Sequence, residues 1–476
     1  LTDALDELRS LPSKAKQGLA FEKLMVNYFK TDPVLRSEYD EVYRWVDWPL
    51  NGGTSDQGID LVARRREDGR WAAVQCKFYA ESTTLQKQHL DSFFEASGRT
   101  FVNSDGNRGG GGSQFAHRLI ISTTDKWSSN AESMLENQLI PTSRIGLSTI
   151  AESPIDWDIV YPGSEISFNL TLRETYEPRP HQVTAIDKTL AGFQIHDRGK
   201  LIMACGTGKT FTALRLAEQF AEKKGGKARI LFLVPSISLL SQTLKEWTAQ
   251  ARMDMRSYAV CSDNKVAKKA EDIATYDLEV PVSTNGEDIY KRLSHGKRAK
   301  GLTVVFSTYQ SLAAIHDAQQ HGFEPFDLII CDEAHRTTGA TLLGDEPSVF
   351  SRIHDANYIA GTKRLYMTAT PRLFDDNVKG KAAEHSAELY SMDDEAIYGP
   401  EFHRLGFGDA VEMGLLTDYK VLVMTVDESV AADAMARFTG GSGQELTLSL
   451  ASAMIGAWNG VAKRSGKEQG TSSGFA

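Results

Sequence analysis

The segment Leu201-Ile202-Met203-Ala204-Cys205-Gly206-Thr207-Gly208-Lys209-Thr210 runs from apolar side chains into a glycine-spaced turn, then a basic and a hydroxyl residue. A helical pattern, Phe211–Lys223, follows it. Strand, glycine turn and helix together are the context a phosphate-binding loop needs. Glycines let backbone N–H groups approach an anion, and the following helix N-terminus adds its dipole. In that reading Gly206, Thr207 and Gly208 line the cradle, Lys209 contacts the β- and γ-phosphates of ATP, and the Thr210 hydroxyl ligates Mg²⁺. Met203 stands where the full motif places its first glycine. Taken alone, the loop leaves open a glycine-rich turn without chemistry.

The surroundings narrow that choice. Leu201–Ala204, Ile230–Val234, Thr303–Phe306, Leu328–Cys331 and Leu365–Met367 are short, continuous apolar runs separated by amphipathic helical stretches. Continuous apolarity is what strands buried on both faces of a parallel sheet require. The zone is therefore expected to be a doubly wound α/β lobe. At the end of one of these strands stands Asp332-Glu333-Ala334-His335. Asp332 is placed to hold Mg²⁺, and Glu333 to polarise the attacking water. An acidic helix N-cap would read the same way.

In order along the chain, these pieces resemble the superfamily 2 helicases and translocases. Arg179-Pro180-His181-Gln182 matches their adenine-reading element, which implies that Gln182 contacts the base. Pro235-Ser236 and Ser307-Thr308-Tyr309-Gln310 match segments that touch the nucleic-acid backbone, and Thr368-Ala369-Thr370-Pro371 matches the motif coupling ATP state to strand contacts. The resemblance covers residues 177–375 and implies a RecA-like lobe. No Gln-x-x-Gly-Arg-x-x-Arg-like segment occurs before Ala476, so the 476-residue chain is expected to bind ATP and hydrolyse it poorly.

A second chemical constellation lies upstream. Gly58-Ile59-Asp60 and Gln75-Cys76-Lys77 flank the turn Asp68-Gly69, a strong hairpin signal. A two-residue turn there sets Asp60 across from Lys77 and Val62 across from Gln75. Period-2 alternation then gathers Asp60, Gln75 and Lys77 on one face and Ile59, Leu61, Ala63, Val74, Cys76 and Phe78 on the other. A carboxylate, an amide oxygen and an ammonium suit metal-assisted phosphodiester hydrolysis: Asp60 and Gln75 hold Mg²⁺, and Lys77 positions water or stabilises developing charge. Glu22, on a helix expected around Gln17–Phe29, completes the site. The alternative is a cross-strand Asp–Lys pair without catalysis, with Glu22 a solvated charge. Arg64-Arg65-Arg66 and the cluster Lys297, Arg298 and Lys300 read as solvated surface before they read as phosphate contacts.

Residues 15–150 resemble the Mrr-like branch of the PD-(D/E)xK nucleases, in which Gln replaces an acid in the final Q-x-K. Gly18 with Phe21-Glu22, Gly58-Ile59-Asp60, Gln75-x-Lys77 and the strand–turn Leu119–Thr124 leading to Ala131 carry the match. Fused to a superfamily 2 motor, this zone resembles the N-terminal part of the type ISP restriction–modification enzymes. That implies Mg²⁺-dependent cleavage of double-stranded DNA coupled to ATP-driven translocation; a reducing cytoplasm is expected separately, from cysteines that suggest no disulfide framework. Methyltransferase and target-recognition domains are then expected outside this chain, which lacks an Asn-Pro-Pro-Tyr motif. A type I restriction motor subunit, a stand-alone defence helicase–nuclease and a remodeller with a non-cleaving DNA-binding module are the alternatives.

The resulting plan is a nuclease domain over residues 1–160, a linker over 161–176 and a first RecA-like lobe over 177–389. A connector (390–418) and the start of a second lobe (419–476) complete it. Composition constrains rather than decides. Lys plus Arg total 53 against 63 Asp plus Glu, a net charge of −10, which excludes a histone-like polyanion binder. Local basic grooves survive that balance, because charge acts within a Debye length of roughly 8–10 Å. Cys76, Cys205, Cys261 and Cys331 are too far apart for metal-knuckle spacing, and nothing suggests a disulfide framework. No apolar run reaches the roughly 20 residues of a membrane span, and the charged start Leu1–Arg9 is not a signal peptide. The first residue is not methionine, as expected of a fragment or a processed product.

Overall fold

A computed structural model describes residues 1–51, 58–101, 114–157, 170–261, 273–294, 300–342, 348–375, 377–378 and 387–418. Fourteen strands organise them. In the N-terminal domain, β1 (Tyr39–Arg44), β2 (Leu61–Arg65), β3 (Trp71–Lys77), β4 (His117–Ser122) and β5 (Thr142–Ile145) form one sheet in chain order. β1, β2 and β3 are antiparallel neighbours, whereas β3, β4 and β5 run parallel.

Helix Lys14–Thr31 begins at Ser13, whose side chain accepts from the Lys16 N–H. Its residues Phe21, Leu24, Met25, Tyr28 and Phe29 repeat at helical spacing and pack with Leu61, Val74, Leu119 and Ile121 on one sheet face. The opposite face is also covered, by a cluster joining Val62, Ala73 and Ile120 to Trp45, Trp48 and Phe93. The sheet is thus buried on both sides.

The hairpin register differs from the expected one. Leu61 pairs with Val74 and Arg64 with Trp71, which sets Asp60 level with Gln75 rather than Lys77. The turn is longer than two residues: the Arg65 N–H donates to the Arg70 carbonyl and the Gly69 N–H to the Arg65 carbonyl. Arg65 is 6% exposed and pairs with Glu38 and Glu67, so a buried ionic cluster sits at the strand end. A shift of two residues leaves every side chain on its face. Asp60, Gln75 and Lys77 therefore stay together. Ile59 does not join Leu61; it packs on the tryptophan side, after Gly58 at φ +94°.

The second domain is a seven-stranded, wholly parallel sheet. It contains β6 (Arg198–Met203), β7 (Lys227–Val234), β8 (Met255–Val260), β9 (Gly301–Thr308), β10 (Phe326–Cys331), β12 (Gly361–Thr368) and β14 (Glu401–Leu405). Their order is β14-β6-β12-β10-β7-β9-β8, while β11 (Gly339–Leu342) and β13 (Ala387–Tyr390) make a separate antiparallel pair. All five expected apolar runs lie in this sheet. β14 comes from the stretch read as a connector and adds an edge strand beside β6. Leu170, from the stretch read as a linker, is buried in the N-terminal core, and Leu172 bridges to Ile155. Lys297 and Arg298, and residues 419–476, lie outside the described residues.

The two domains belong to one compact unit, Leu1–Leu416. Val34 of the N-terminal domain is buried within the core of the second. Arg144 pairs with Asp277 at 2.5 Å, Lys245 with Glu152 at 3.1 Å, and Arg292 with Glu67 at 2.7 Å. Near the Lys245 contact, burial and the neighbouring Asp32 push the Glu279 carboxyl up to about 8, against the pull of Lys245. A carboxyl raised in the folded state stabilises fully at pH below its unfolded value and loses that contribution as pH rises through about 8. Stability is therefore expected to fall between about pH 5 and pH 8, at most ~1.4 kcal/mol per unit for one proton. Glu279→Gln should flatten this slope in urea titrations at several pH values, and parallel slopes for both proteins would exclude the effect.

Candidate nucleotide and nuclease sites

The loop read as phosphate-binding lies between β6 and helix Lys209–Lys223. Gly206 and Gly208 both sit at φ +81°, the left-handed region where a side chain is strained. A Cβ on Gly208 would lie 2.4 Å from the Gln182 amide nitrogen, so the close approach needs glycine. The loop is braced from within: the Thr207 hydroxyl donates to the Ala204 carbonyl at 2.7 Å, and the Lys209 ammonium to the Met203 carbonyl at 3.4 Å. Gln182 grips the same loop. Its amide nitrogen donates to the Thr207 and Gly208 carbonyls, and its oxygen accepts from the Arg179 N–H at 2.8 Å. The described hydrogen bonds of Gln182 are thus to backbone, of the loop and of Arg179.

Asp332 follows β10, and burial with the adjacent Glu333 pushes its carboxyl up to about 6, while Lys209 pulls it down. That places Lys209 and Asp332 in one electrostatic neighbourhood. Glu333 holds a left-handed backbone at φ +48°, a rare conformation for a residue with a side chain and one that collects at functional sites. His335 lies 3.3 Å from Glu333 and shares a 3.0 Å hydrogen bond with the Thr368 hydroxyl. The acidic motif is thereby tied to the Thr368-Ala369-Thr370 segment. The Tyr309 hydroxyl donates to the Asp332 carbonyl at 2.8 Å, which joins a third motif to it.

Sequence reasoning missed one participant. The Trp247 indole N–H donates to the Thr210 carbonyl at 3.0 Å. No motif marks a tryptophan whose partner is a backbone carbonyl from another element.

In the N-terminal domain, Asp60 immediately precedes β2, while Gln75 and Lys77 end β3. One Asp60 oxygen accepts from the Cys76 N–H at 2.6 Å and from the Gln75 amide. The Gln75 side-chain oxygen is buried and has no hydrogen-bond partner. A buried acceptor without a donor is costly, and a cation beside Asp60 would satisfy it. Glu22 lies on helix Lys14–Thr31. Burial, then Asp60 and Glu22, push the Cys76 thiol well up, and Lys77 pulls it down. All three charges therefore lie within electrostatic reach of Cys76. Among the described residues no group of three or more His, Cys, Asp or Glu is placed to hold a metal ion. The donor set is one carboxylate and an amide oxygen, with Glu22 nearby, and it fits a hard cation such as Mg²⁺.

Comparison with known proteins finds matches to two successive segments of the chain. Residues 30–167 match the family described as restriction endonuclease, and residues 175–373 the family described as type III restriction enzyme, res subunit. The chain thus joins a segment matching a restriction-endonuclease family to one matching a type III restriction res-subunit family. Among solved structures, that of the ATP-dependent type ISP restriction–modification enzyme LlaBIII bound to DNA is 37% identical with a TM-score of 0.75; the alignment covers 98% of this chain and 29% of that one. The type I restriction enzyme EcoAI endonuclease subunit of Escherichia coli is 25% identical over 52% of this chain and 24% of its own length. A probable helicase of African swine fever virus (isolate Pig/Kenya/KEN-50/1950) is 29% identical over the same shares. The chain thus spans about a quarter of the length of these curated relatives. Among the described residues no helix is long and apolar enough to cross a membrane.

Proposed function

We propose that this chain is the nuclease–motor portion of an ATP-dependent restriction enzyme of the type ISP kind, cleaving double-stranded DNA with Mg²⁺ while ATP drives translocation along the duplex. The observation that carries the reading is the 37% identity to LlaBIII across 98% of the chain, over nuclease and helicase lobe together. In the helicase lobe, Gly206, Thr207 and Gly208 would receive the phosphates, Lys209 would neutralise them, and Gln182 would hold the loop in shape. Thr210 and Asp332 would hold Mg²⁺, and Glu333 would orient water towards the γ-phosphate. His335 would pass the state of that site to Thr368.

In the nuclease domain, Asp60 and the Gln75 oxygen would hold Mg²⁺, which supplies positive charge at the scissile phosphate. Lys77 would place water in line and balance charge growing on the phosphoryl oxygens. Glu22 would take part from the adjoining helix. Supercoiled plasmid incubated with Mg²⁺ and ATP tests the reading, with the chain in its full natural polypeptide. Linear product that requires both additions is expected. Intact plasmid despite ATP turnover would leave only a DNA-stimulated motor with a non-cleaving module.

A further inference from the structure

The helix Ile237–Gln250 touches both sites' domains, from opposite sides. Residues 245 and 247 are two positions apart, about 200° around a helix, so their side chains leave in nearly opposite directions. Trp247 points inward. It is fully buried, wedged edge-on against Phe232 of β7 and Phe306 of β9 at 5.1 and 5.7 Å, with its N–H on the Thr210 carbonyl. A side chain so enclosed cannot follow Thr210 alone, because cores are close-packed and pass displacement on. Lys245 points outward and meets Glu152 of the nuclease domain at 3.1 Å and the helicase lobe's Glu279 at 3.3 Å. Lys245 thus bridges the two domains through one carboxylate on each side.

Next to this contact lies an interdomain cavity of about 690 Å³, bordered by Ser238, Ser241 and Gln242 of the helix and by Ser148 of the nuclease domain. The helix therefore has open space along part of its outer face. Among the described residues, its holds on the nuclease include Lys245 and the packing of helix Pro33–Glu38, whose Val34 is seated in the helicase core. The N-terminus of the same helix follows Pro235-Ser236, the segment resembling a nucleic-acid contact.

We propose that helix Ile237–Gln250 couples the nucleotide site to the nuclease domain, with Trp247 as the positioning residue at Thr210 and Lys245 as the positioning residue at Glu152. The coupling rests on the reading of the phosphate loop given above. Any nucleotide-driven shift of Thr210 then reaches the segment Leu147–Glu152 without a flexible tether.

Hydrogen exchange of the whole chain, with and without a non-hydrolysable ATP analogue and Mg²⁺, tests this. In the unmodified protein the analogue should slow exchange at residues 206–210 and also alter exchange at Leu147–Glu152. Lys245→Met and the surface variant Glu152→Gln should keep analogue affinity within about twofold, being remote from the loop, yet lose the response at Leu147–Glu152. Trp247→Phe should weaken analogue binding about three- to tenfold, one hydrogen bond's share, and lose that response as well. A response at Leu147–Glu152 that survives in both Lys245→Met and Glu152→Gln overturns the proposal. So does its absence in the unmodified protein when residues 206–210 are protected. If the analogue fails to protect residues 206–210 at all, the phosphate-loop reading falls and the coupling with it.

Discussion

Replacing Lys209 with alanine is expected to lower MgATP affinity by roughly tenfold to 150-fold while leaving the fold intact. The magnitude is that of one charge-assisted hydrogen-bond system, about 1.5–3 kcal/mol. Without nucleotide, the Lys209 ammonium has a 3.4 Å contact with the Met203 carbonyl and a half-buried position at the first turn of its helix. Little native structure depends on it, so thermal denaturation should change by no more than about 2–4 °C. The loop itself is held by Thr207, Gln182 and the two positive-φ glycines, none of which the substitution touches. Lys209→Arg keeps the charge but presents a broad planar fork to a cradle shaped for a compact ammonium, and should recover only part of the affinity. Titration calorimetry with a non-hydrolysable analogue measures the effect. Affinity within a factor of about two of the unmodified chain would remove Lys209 from the phosphate site.

The helicase lobe was legible because burial on both sheet faces writes itself as continuous apolar runs. Ile230–Val234, Leu328–Cys331 and the others sit in the interior of the seven-stranded sheet. The two strands that escaped notice are its edges, β8 and β14. In β14, Glu-Phe-His-Arg-Leu mixes polar with apolar residues because that edge is covered incompletely, whereas β8, Met-Arg-Ser-Tyr-Ala-Val, is nearly all buried and was hidden by Arg256 and Ser257 interrupting its apolar run. In the nuclease domain the grouping of Asp60, Gln75 and Lys77 on one face was legible although their register was not. The turn length depended on Arg65 and Glu67 being buried in an ionic cluster that also takes in Arg292, from 225 positions away in the helicase lobe. No local pattern carries such a contact. Alternation nevertheless kept Asp60, Gln75 and Lys77 on one face, because an even shift preserves it. Trp247 and the docking of the two domains were invisible for the same reason as the cluster around Arg65. They are made by side chains that read locally as ordinary core or surface.

Asp60→Asn is expected to abolish DNA cleavage, by at least about 10³-fold, with ATP binding unchanged. The substitution isolates charge from geometry. The Asp60 oxygen accepts from the Cys76 N–H at 2.6 Å and from the Gln75 amide, and an asparagine oxygen can accept both. What asparagine cannot supply is the negative charge that would draw a divalent cation next to the unpartnered Gln75 oxygen. Gln75→Glu acts in the opposite sense, because it adds a carboxylate where the amide oxygen now lies. It should tighten Mg²⁺ binding, while two carboxylates side by side repel each other in the metal-free protein and lower its stability. A rescue pattern follows from the same chemistry: softer Mn²⁺, which accepts nitrogen and amide donors more readily, should restore more cleavage to Asp60→Asn than Mg²⁺ does. Plasmid linearisation at graded Mg²⁺ and Mn²⁺ concentrations measures both effects. Cleavage by Asp60→Asn at the unmodified rate would show that the Asp60–Gln75 pair is a structural contact of the hairpin and that the scissile phosphate is met elsewhere.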